Sequence, residues 1–386
     1  MNQALKHWRE AATLILAARN GNTALKKTPL RHLEEKGPSW PLRRAYDYEV
    51  LLLKRSKTSS FMPNAHVFPG GLIDSSDFSS EWIEVFSNYK KSPNFGLGLV
   101  KQHPSTRAPI FATDRTKFGS PIPGEVAFRI CAIRETFEES GILLVLPKDS
   151  EITPTQEVTR AVHLDDDKIS TWRLRIQENP SQFIQMCHEL HCMPNIWALH
   201  EWSNWLTPVS GRSVMTRRYD TAFFMCCLQD RPYTLDDQKE VTSFQWSTPS
   251  EIIANYQSQN IWIAPPQLYE LSRMARLPSL LKLHQFSVDR ALEGCERWMS
   301  LVIATPDQYI QILPGDELYP EEPDLTGEKK FVLSPDVLLK SVRRLHRIEH
   351  RDLHSMNIYV NIQPKYKHIN PLTVNLNNCT GCYSQL

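Results

Sequence analysis

Three glutamates within one turn of a predicted helix carry the clearest chemistry in this sequence. Glu135, Glu138 and Glu139 stand at positions i, i+3 and i+4, so a helix places all three carboxylates on one face. Like charges this close destabilise an isolated helix by about 0.2–0.5 kcal/mol per pair. A hard divalent cation such as Mg²⁺ or Mn²⁺ would offset that cost. The spacing therefore predicts a metal site, with a solvated acidic helix face as the alternative.

The residues around the glutamates favour the metal site. Arg134 directly precedes them and can bridge back to one carboxylate, which would fix its rotamer. Ile130, Ile133 and Phe137 form the opposite, apolar face of the same helix. We therefore expect the apolar face to point inward and the carboxylates to face a cleft or solvent.

The composition of the 386-residue chain excludes several classes of protein. Lys plus Arg is 44 and Asp plus Glu is 43, so no whole-protein field exists to hold nucleic acid or an anionic membrane. No apolar run approaches the roughly 20 residues of a membrane span. Hydrophobic residues at 41% and charged residues at 23% are typical of a globular protein. The eight cysteines are dispersed, which favours a reducing compartment over a disulfide framework.

Periodicity and turn residues predict a mixed α/β chain that positions the glutamates. Helix 125–141 carries them, and Gly141 is a suitable stop because glycine readily adopts the left-handed conformation. Strands are predicted at 11–17, 48–53, 142–146, 218–228, 240–246, 299–305 and 356–362. Further helices are predicted at 81–90, 155–191 with a break at Asn179-Pro180, 265–284 and 335–350.

The segment around the glutamates resembles the Nudix hydrolase motif. The matching positions are Arg134, Glu135, Glu138, Glu139, Gly141 and Ile142. Thr136 replaces a usual apolar residue, and Glu125 is the nearest match to the middle glutamate of the motif, one position out of register. Gly70 and Gly71 match its opening glycines and would let the backbone approach the metal. Gly71 and Arg134 are 63 positions apart where the family has about 14, which implies an insertion of about 49 residues.

A second, upstream motif resembles the signature of the coenzyme A-cleaving Nudix branch. The matching positions are Leu51, Leu52, Arg55, Ser56, Phe68, Pro69, Gly70 and Gly71. Leu53, Ser60 and Asn64 replace a Thr, an Arg and a Gly of that signature. The run 61–71, the interrupted motif and the length together resemble the peroxisomal coenzyme A diphosphatase subgroup, the Nudix motif 19 type.

This resemblance implies an α/β fold, the Nudix α/β/α sandwich, with a helical insertion that splits the motif and a C-terminal extension. We predict a Nudix hydrolase domain at 8–290 and the C-terminal extension at 291–386. Insertions are predicted within the first unit at about 75–123 and, as a helical segment, at about 155–205.

The resemblance also implies metal-dependent hydrolysis of a pyrophosphate bond in a small molecule, coenzyme A or acyl-CoA, with no nucleic acid as partner. The products would be 3′,5′-ADP and 4′-phosphopantetheine or its acyl form. Glu135, Glu138 and Glu139 would hold Mg²⁺ or Mn²⁺, and one carboxylate or a more distant Glu would accept the proton of the attacking water. Glu240, at the start of a predicted strand, is the distant candidate, with an exposed structural acid as the alternative.

Six residues are candidates for substrate contact: the glycines Gly70 and Gly71 already named, and Arg55, Ser56, Phe61 and Met62. Arg55 follows a predicted strand and could bind a phosphate with two hydrogen bonds, or could be a surface charge. Ser56 could cap the loop or bond a phosphate. Phe61 and Met62 could pack on adenine or the pantetheine arm, or could fill their own loop.

Two other functions stay open at this stage. The same reaction could act on NADH, ADP-ribose or another nucleoside diphosphate derivative, because Ser60 and Asn64 depart from the coenzyme A signature. A non-catalytic Nudix module could bind a nucleotide or RNA. The intact set of three glutamates argues against the non-catalytic module, since such modules often lose these acids.

The final residues Ser384, Gln385 and Leu386 resemble the peroxisomal address S-K-L, with Gln at the usual basic position. We therefore predict a peroxisomal location and a peroxisomal import receptor as partner. Mitochondrion and cytosol are the alternatives.

Overall fold

The protein is represented by a computed structural model that describes most of the chain. The described residues are 8–21, 46–59, 61–97, 106–113, 119–151, 158–209, 217–237, 239–305, 308–326, 342–352 and 354–373. Ser60 and the terminal residues 384–386 lie outside this part of the chain. Within it, no helix has the length and apolar character that crossing a bilayer requires.

Fourteen strands lie within the described residues, and twelve of them form one sheet. The strands are β1 (Arg9–Arg19), β2 (Tyr48–Arg55), β3 (Ala65–Val67), β4 (Gly70–Leu72), β5 (Val145–Pro147), β6 (Cys192–Pro194), β7 (His200–Val209), β8 (Tyr219–Leu228), β9 (Val241–Ser247), β10 (Trp262–Ile263), β11 (Arg297–Ala304), β12 (Tyr309–Ile312), β13 (His346–Asp352) and β14 (Ser355–Val360). The sheet order is β10-β3-β2-β1-β8-β7-β11-β12-β13-β14, with β4 beside β1 and β9 beside β2.

Strand β1 is the centre of this sheet. It is parallel to β8 and antiparallel to both β2 and β4. Residues 14–18 are fully buried, as expected for a continuous apolar run in a strand covered on both faces. Because β4 also pairs with β1, the Gly70-Gly71 pair is held directly beside the middle of the sheet.

Helices cover both faces of the sheet. They are α1 (Trp82–Val85), α2 (Pro109–Ala112), α3 (Gly124–Ser140), α4 (Asp166–Glu178), α5 (Gln182–Glu189), α6 (Pro249–Gln257), α7 (Pro265–Met274) and α8 (Leu280–Ala291). Leu14 and Leu16 of β1 share one core cluster with α3, whereas Ile15 and Ala17 share the other with α6, α7 and α8. Strand alternation thus divides β1 between two cores, and the predicted α/β/α sandwich is confirmed.

Helix α3 confirms the predicted helix that carries the glutamates. Ile130, Ile133 and Phe137 are fully buried against the sheet. Gly141 ends the helix with φ of 71°, and its N–H donates to the Phe137 carbonyl. The Arg173 guanidinium of α4 donates two hydrogen bonds to the Glu138 carbonyl at the same end, where a cation is favoured by the helix dipole.

The C-terminal part of the chain continues the central sheet. Strand β11 pairs in parallel with β7, and β12, β13 and β14 follow as an antiparallel meander. The segments predicted as strands at 299–305 and 356–362 are two of these four. The boundary at 290–291 between the Nudix domain and the C-terminal extension stays a prediction. Strand β11, after this boundary, is hydrogen-bonded to β7, before it.

Three predicted elements are wrong in part. The segment predicted as a basic helix at 335–350 forms strand β13 from His346 onward, because it pairs with β12 and β14. Residues 335–341 lie outside the described part. The helix at 265–284 breaks into α7 and α8, since Pro278 cannot donate a backbone hydrogen bond and disfavours helix before it. In the insertion at about 155–205, the described residues from 158 onward form the α-helices α4 and α5 and a 3₁₀ turn at Ile196–Ala198, and its end begins β7.

Two shorter predictions differ in length. The helix at 81–90 contains only the single turn α1, followed by turns. The strand at 142–146 contributes one isolated bridge at Leu143 and the short β5, which pairs with β6 outside the main sheet. Neither difference moves the helix that carries the glutamates.

Candidate active site

Arg134 lies at the centre of the glutamate cluster. It is 2% exposed, and its Nη1 donates to Glu135 Oε1 at 2.9 Å and to Glu138 Oε1 at 2.7 Å. One guanidinium nitrogen therefore holds two of the three carboxylates. This arrangement fixes the rotamers of both glutamates, as predicted for one of them from the sequence.

Asp77 holds the other side of the Arg134 guanidinium. Nε and Nη2 donate to the two Asp77 oxygens, both at 2.9 Å, and Nη2 also donates to the Leu72 carbonyl at 3.1 Å. Asp77 is 1% exposed and belongs to a short 3₁₀ helix capped by Asp74. Burial alone would lower the pKa of Arg134, but the charges of Asp77 and Glu135 outweigh it and raise this pKa.

Sequence reasoning missed Asp77. It lies inside the segment that interrupts the motif, 57 positions from its partner. The signal that could have found it is local: Asp74 and Asp77 have the spacing of a capping box, which the structure contains. Nothing in that spacing indicates an ion pair with Arg134.

The glycine pair of β4 allows the closest approach of backbone to the carboxylates. The Gly70 N–H donates to Glu139 Oε2 at 2.8 Å. A Cβ at Gly71 would collide with the Glu135 carboxyl, whereas one at Gly70 would collide with the Ala12 carbonyl of β1. The backbone of β1 therefore excludes any side chain at Gly70, whereas a side chain at Gly71 would displace the Glu135 carboxyl.

The three glutamates are buried without a full complement of positive charge. Burial raises the pKa of Glu135 to about 7, although Arg134 opposes this shift. Burial also raises the pKa of Glu138, again against Arg134, and holds that of Glu139 well above its ordinary value. Asp77, Glu135 and Glu138 share Arg134, and Glu139 has only the Gly70 N–H and the more distant charge of Arg55, so a further cation would be stabilised here.

The donor set fits a hard divalent cation. Arg134 and Gly70 engage one oxygen each of Glu135, Glu138 and Glu139, so the described residues leave the second oxygen of each carboxylate for a ligand. Carboxylate oxygens are the preferred ligands of Mg²⁺ and Mn²⁺. Within the described part of the chain, no three acidic, His or Cys side chains already converge as a formed metal site.

A cavity of about 770 Å³ opens from the glutamates across the sheet. Its wall includes Arg134, all three glutamates and both glycines of β4. Beyond them it is lined by Arg9, Ala11, Thr13, Arg55, Phe61, Met62, Val67, Phe68, Leu72, Gln177, Pro180, Trp205, Leu206, Thr207, Pro208, Arg217, Tyr219, Thr221, Phe223, Asp237, Lys239, Glu240, Pro265, Pro266, Gln267, Ser300 and Gln311.

Five of the six predicted substrate-contact residues line this cavity: Arg55, Phe61, Met62, Gly70 and Gly71. Arg55 donates to Ser59 Oγ and to the Phe61 carbonyl, so it also fixes the loop after β2. Phe61 packs edge-to-face on Tyr219 at 4.8 Å between ring centroids, and Met62 follows it along the wall. Ser56 is half-buried and lies outside the cavity; its hydroxyl bonds with Thr58 at 2.8 Å.

Glu240 lies at the edge of the same cavity. It directly precedes β9 and is exposed, and its carbonyl accepts a hydrogen bond from Ser56 N–H. Its charge contributes to the raised pKa of both Glu138 and Glu139. The structure thus brings this sequence-distant acid to the glutamate cluster. Glu125, by contrast, forms an ion pair with Arg107 at 2.7 Å and does not line the cavity.

The fold and this site define the Nudix hydrolase class: a mixed sheet between helical layers, with the glutamates on a helix facing a glycine strand. The family model "NUDT19 Nudix domain" matches residues 8–274, and "NUDT19 C-terminal domain" matches residues 302–361. The chain therefore belongs to the NUDT19 family of Nudix hydrolases. Nudix hydrolases generally require divalent metal ions, which agrees with the donor set.

Three relatives are similar to this chain over nearly the full length of both sequences. The chain is 56% identical to the acyl-coenzyme A diphosphatase NUDT19 of Xenopus laevis, over 97% of this chain and 98% of the relative. It is 50% identical to that of Gallus gallus, over 97% of both chains, and 40% identical to that of Homo sapiens, over 94% of both. A solved Nudix hydrolase from Alicyclobacillus acidocaldarius is 20% identical, with a TM-score of 0.46 over 70% of this chain and 92% of that one.

Removal of the Asp77 carboxylate should leave Arg134 buried with one side unpaired. We expect Asp77→Ala to lower the free energy of unfolding by about 3–5 kcal/mol, measured by urea denaturation. The control is Asp230→Ala, because Asp230 pairs with Arg160 at 3.8 Å with both side chains more than two-thirds exposed. That variant should lose less than about 1 kcal/mol. Equal losses in the two variants would contradict the assignment.

The two glycines should respond differently to alanine. Gly71→Ala meets the carboxyl end of the Glu135 side chain and would push it off Arg134, so we expect weaker Mn²⁺ binding and a smaller fall in melting temperature than for Gly70→Ala. Gly70→Ala meets the backbone of β1, which cannot move cheaply, so its melting temperature should fall by several degrees. Calorimetry and thermal unfolding measure the two effects, and a thermal loss in Gly71→Ala as large as in Gly70→Ala would refute this reading.

Metal affinity should rise with pH. The pKa of Glu135 is raised from 4.5 to about 7 in the folded protein, so its charged form costs stability as pH rises through this range. A cation must displace that proton, and the pKa values of Glu138 and Glu139 are raised as well, so we expect Mg²⁺ affinity to increase from pH 6 to pH 8. Titration calorimetry at pH 6, 7 and 8 tests this, and Glu135→Gln should make the dependence less steep. A constant affinity in the parent protein would count against it.

Proposed function

We propose that this protein hydrolyses the pyrophosphate bond of coenzyme A and acyl-CoA to 3′,5′-ADP and 4′-phosphopantetheine or its acyl form. The observation that carries the proposal is the near full-length identity of 40–56% to three acyl-coenzyme A diphosphatases. The buried glutamate cluster at the end of a long cavity supports it independently.

Mg²⁺ or Mn²⁺ is the metal we propose, held by Glu135, Glu138 and Glu139. Such a cation neutralises pyrophosphate oxygens and lowers the pKa of a coordinated water. The protein contributes the rigid placement of the ligands. Arg134 fixes two carboxylates, and the Gly70 N–H fixes the third. The carboxylates need no reorganisation at the moment of reaction, which is the main electrostatic advantage of such a site.

Glu240 is our candidate for the group that accepts the proton of the attacking water. It is exposed at the cavity edge and near enough to Glu138 and Glu139 to affect their pKa. The alternative is one of the buried glutamates, which would have to give up its place as a metal ligand.

Cations on the cavity wall supply the charge that 3′,5′-ADP requires. Arg55 lies close enough to Glu139 to lower its pKa, so it also lies close to the reacting phosphates. Arg9 and Lys239 line the same region and are exposed, so their charges are accessible to a ligand. Phe61, on the ring of Tyr219, offers an aromatic surface for a base.

A departure from the coenzyme A signature is accommodated by the structure. Asn64, which replaces a glycine of that motif, has φ of 61°, in the left-handed region that asparagine tolerates better than most residues. The loop therefore keeps the backbone conformation that a glycine permits. This weakens the alternative of NADH or ADP-ribose as substrate. The intact glutamate cluster disfavours the alternative of a non-catalytic binding module.

A peroxisomal location and an import receptor as partner stay proposals. They depend on Ser384, Gln385 and Leu386, which lie outside the described residues.

One assay separates the three functions. With Mg²⁺ present, we expect coenzyme A to yield 3′,5′-ADP by chromatography, and NADH and ADP-ribose to be cleaved much more slowly. Glu139→Gln should lower kcat by about a hundredfold or more, because it removes a carboxylate ligand. The control is Glu189→Gln on the exposed face of α5, which should retain full activity.

Each outcome of this assay has a clear meaning. No 3′,5′-ADP from coenzyme A, with NADH or ADP-ribose cleaved, would transfer the assignment to the second candidate. No turnover of any substrate would favour the binding module. A fully active Glu139→Gln variant would refute the metal assignment.

A further inference from the structure

The floor of the cavity crosses the sheet from the glutamates to the C-terminal strands. Five strands contribute lining residues, for example Thr13 on β1, Thr221 on β8, Trp205 on β7, Ser300 on β11 and Gln311 on β12. These strands are consecutive neighbours in the sheet. The C-terminal extension therefore forms part of the same cavity as the glutamates, although no motif of the sequence connects the two.

The distal half of the cavity, defined as its walls on β7, β11, β12 and the start of α7, carries no charged side chain among the described residues. Its lining residues are Trp205, Leu206, Thr207, Pro208, Pro265, Pro266, Gln267, Ser300 and Gln311. The arginines and lysine that line the cavity lie on β1, β2 and α3, and before β8 and β9. The one nearest the distal half is Arg217, since β8 pairs with β7. A doubly phosphorylated nucleoside would find little counter-charge in the distal half, whereas a neutral ligand would not need one.

Gln267 adds a specific signal for a hydrogen-bonding ligand. It is 9% exposed, lines the distal half, and its Oε1 has no hydrogen-bond partner among the described residues. A buried acceptor without a partner costs about 1–3 kcal/mol, so such groups call for an explanation. An amide N–H on a ligand would satisfy it. Ser300 and Gln311, 3.5 Å apart between Oγ and Oε1, add further polar groups at the far end.

The dimensions of the distal half fit a pantetheine arm. Neighbouring strands lie about 4.8 Å apart, so β7 is about 14 Å, β11 about 19 Å and β12 about 24 Å from β4 and its glycines. The arm from phosphate ester oxygen to sulfur has about 12 bonds and extends about 15 Å. Its two amides would therefore reach the region of β8 and β7, its sulfur would lie between β7 and β11, and an acyl group would continue toward β12.

We infer that the distal half of the cavity is the subsite for the amide-bearing arm of the substrate, with Gln267 accepting a hydrogen bond from an arm amide and the C-terminal strands β11 and β12 enclosing the thiol or acyl end. This inference rests on the proposed coenzyme A diphosphatase function. It makes Gln267 a specificity residue and gives the C-terminal extension a direct part in substrate recognition.

The two product halves test the inference by binding alone. We would titrate 4′-phosphopantetheine and, separately, 3′,5′-ADP into the full-length protein with Mg²⁺ in the calorimeter. For Gln267→Leu we expect the Kd of 4′-phosphopantetheine to rise about fivefold to tenfold, the effect of one lost hydrogen bond. The Kd of 3′,5′-ADP should stay within about twofold of the parent value. A general loss of structure would weaken both ligands together.

Gln257→Leu is the matched control, because Gln257 is an exposed glutamine at the end of α6 that does not line the cavity. It should change neither Kd. Should Gln267→Leu fail to fold, Gln267→Asn withdraws the same acceptor by one methylene and should weaken 4′-phosphopantetheine alone. Gln311→Leu should leave 4′-phosphopantetheine unchanged and lower the KM of octanoyl-CoA relative to that of coenzyme A, since it adds apolar surface beyond the sulfur.

The outcomes separate this inference from the proposed function. Weaker binding of 3′,5′-ADP with unchanged 4′-phosphopantetheine would reverse the orientation of the substrate and overturn the inference. Unchanged binding of both halves would also overturn it. A parent protein that binds 4′-phosphopantetheine through Gln267 but does not cleave coenzyme A would refute the proposed function and leave the subsite standing.

Discussion

The ion pair between Arg134 and Asp77 is the interaction on which the site depends. Arg134 belongs to the helix of the glutamates, and Asp77 belongs to the 3₁₀ helix after the glycine strand. Their ion pair joins these two elements, although the two residues are 57 positions apart in the chain. Without Asp77, the charge of Arg134 would be shared by the glutamates alone. With it, the guanidinium is held on one side, and its remaining nitrogen orders Glu135 and Glu138.

The same contact explains how the motif tolerates a large insertion. The insertion lies between β4 and α3 in the chain. Strand β4 pairs with β1, and α3 packs against β1. The sheet therefore keeps the glycines and the glutamates adjacent whatever the length of the connection. Through Asp77, at the beginning of the insertion, part of the added chain supports the helix of the glutamates.

The position of the C-terminal strands changes how the chain is divided. An extension that only packed beside the core would leave the cavity unaltered, but β11 continues the hydrogen bonding of the sheet from β7. A buried network ties the two parts together: Glu270 of α7 accepts from the indole N–H groups of Trp202 and Trp205, and Tyr269 O–H bonds with His346 of β13. Trp205, on the cavity wall, is thus held by α7, and α7 is in turn bonded to β13.

The sequence by itself determined the features that depend on local spacing. The helix of the glutamates, its glycine stop, the buried run of β1 and the metal-ligating residue types all follow from periodicity and side-chain chemistry within a few positions. Tertiary structure alone decided the rest, because it depends on which distant segments pair. Asp77 meets Arg134, Gln267 enters the cavity and His346 joins a strand only once the sheet order is set. Short-range patterns carry no information on that order.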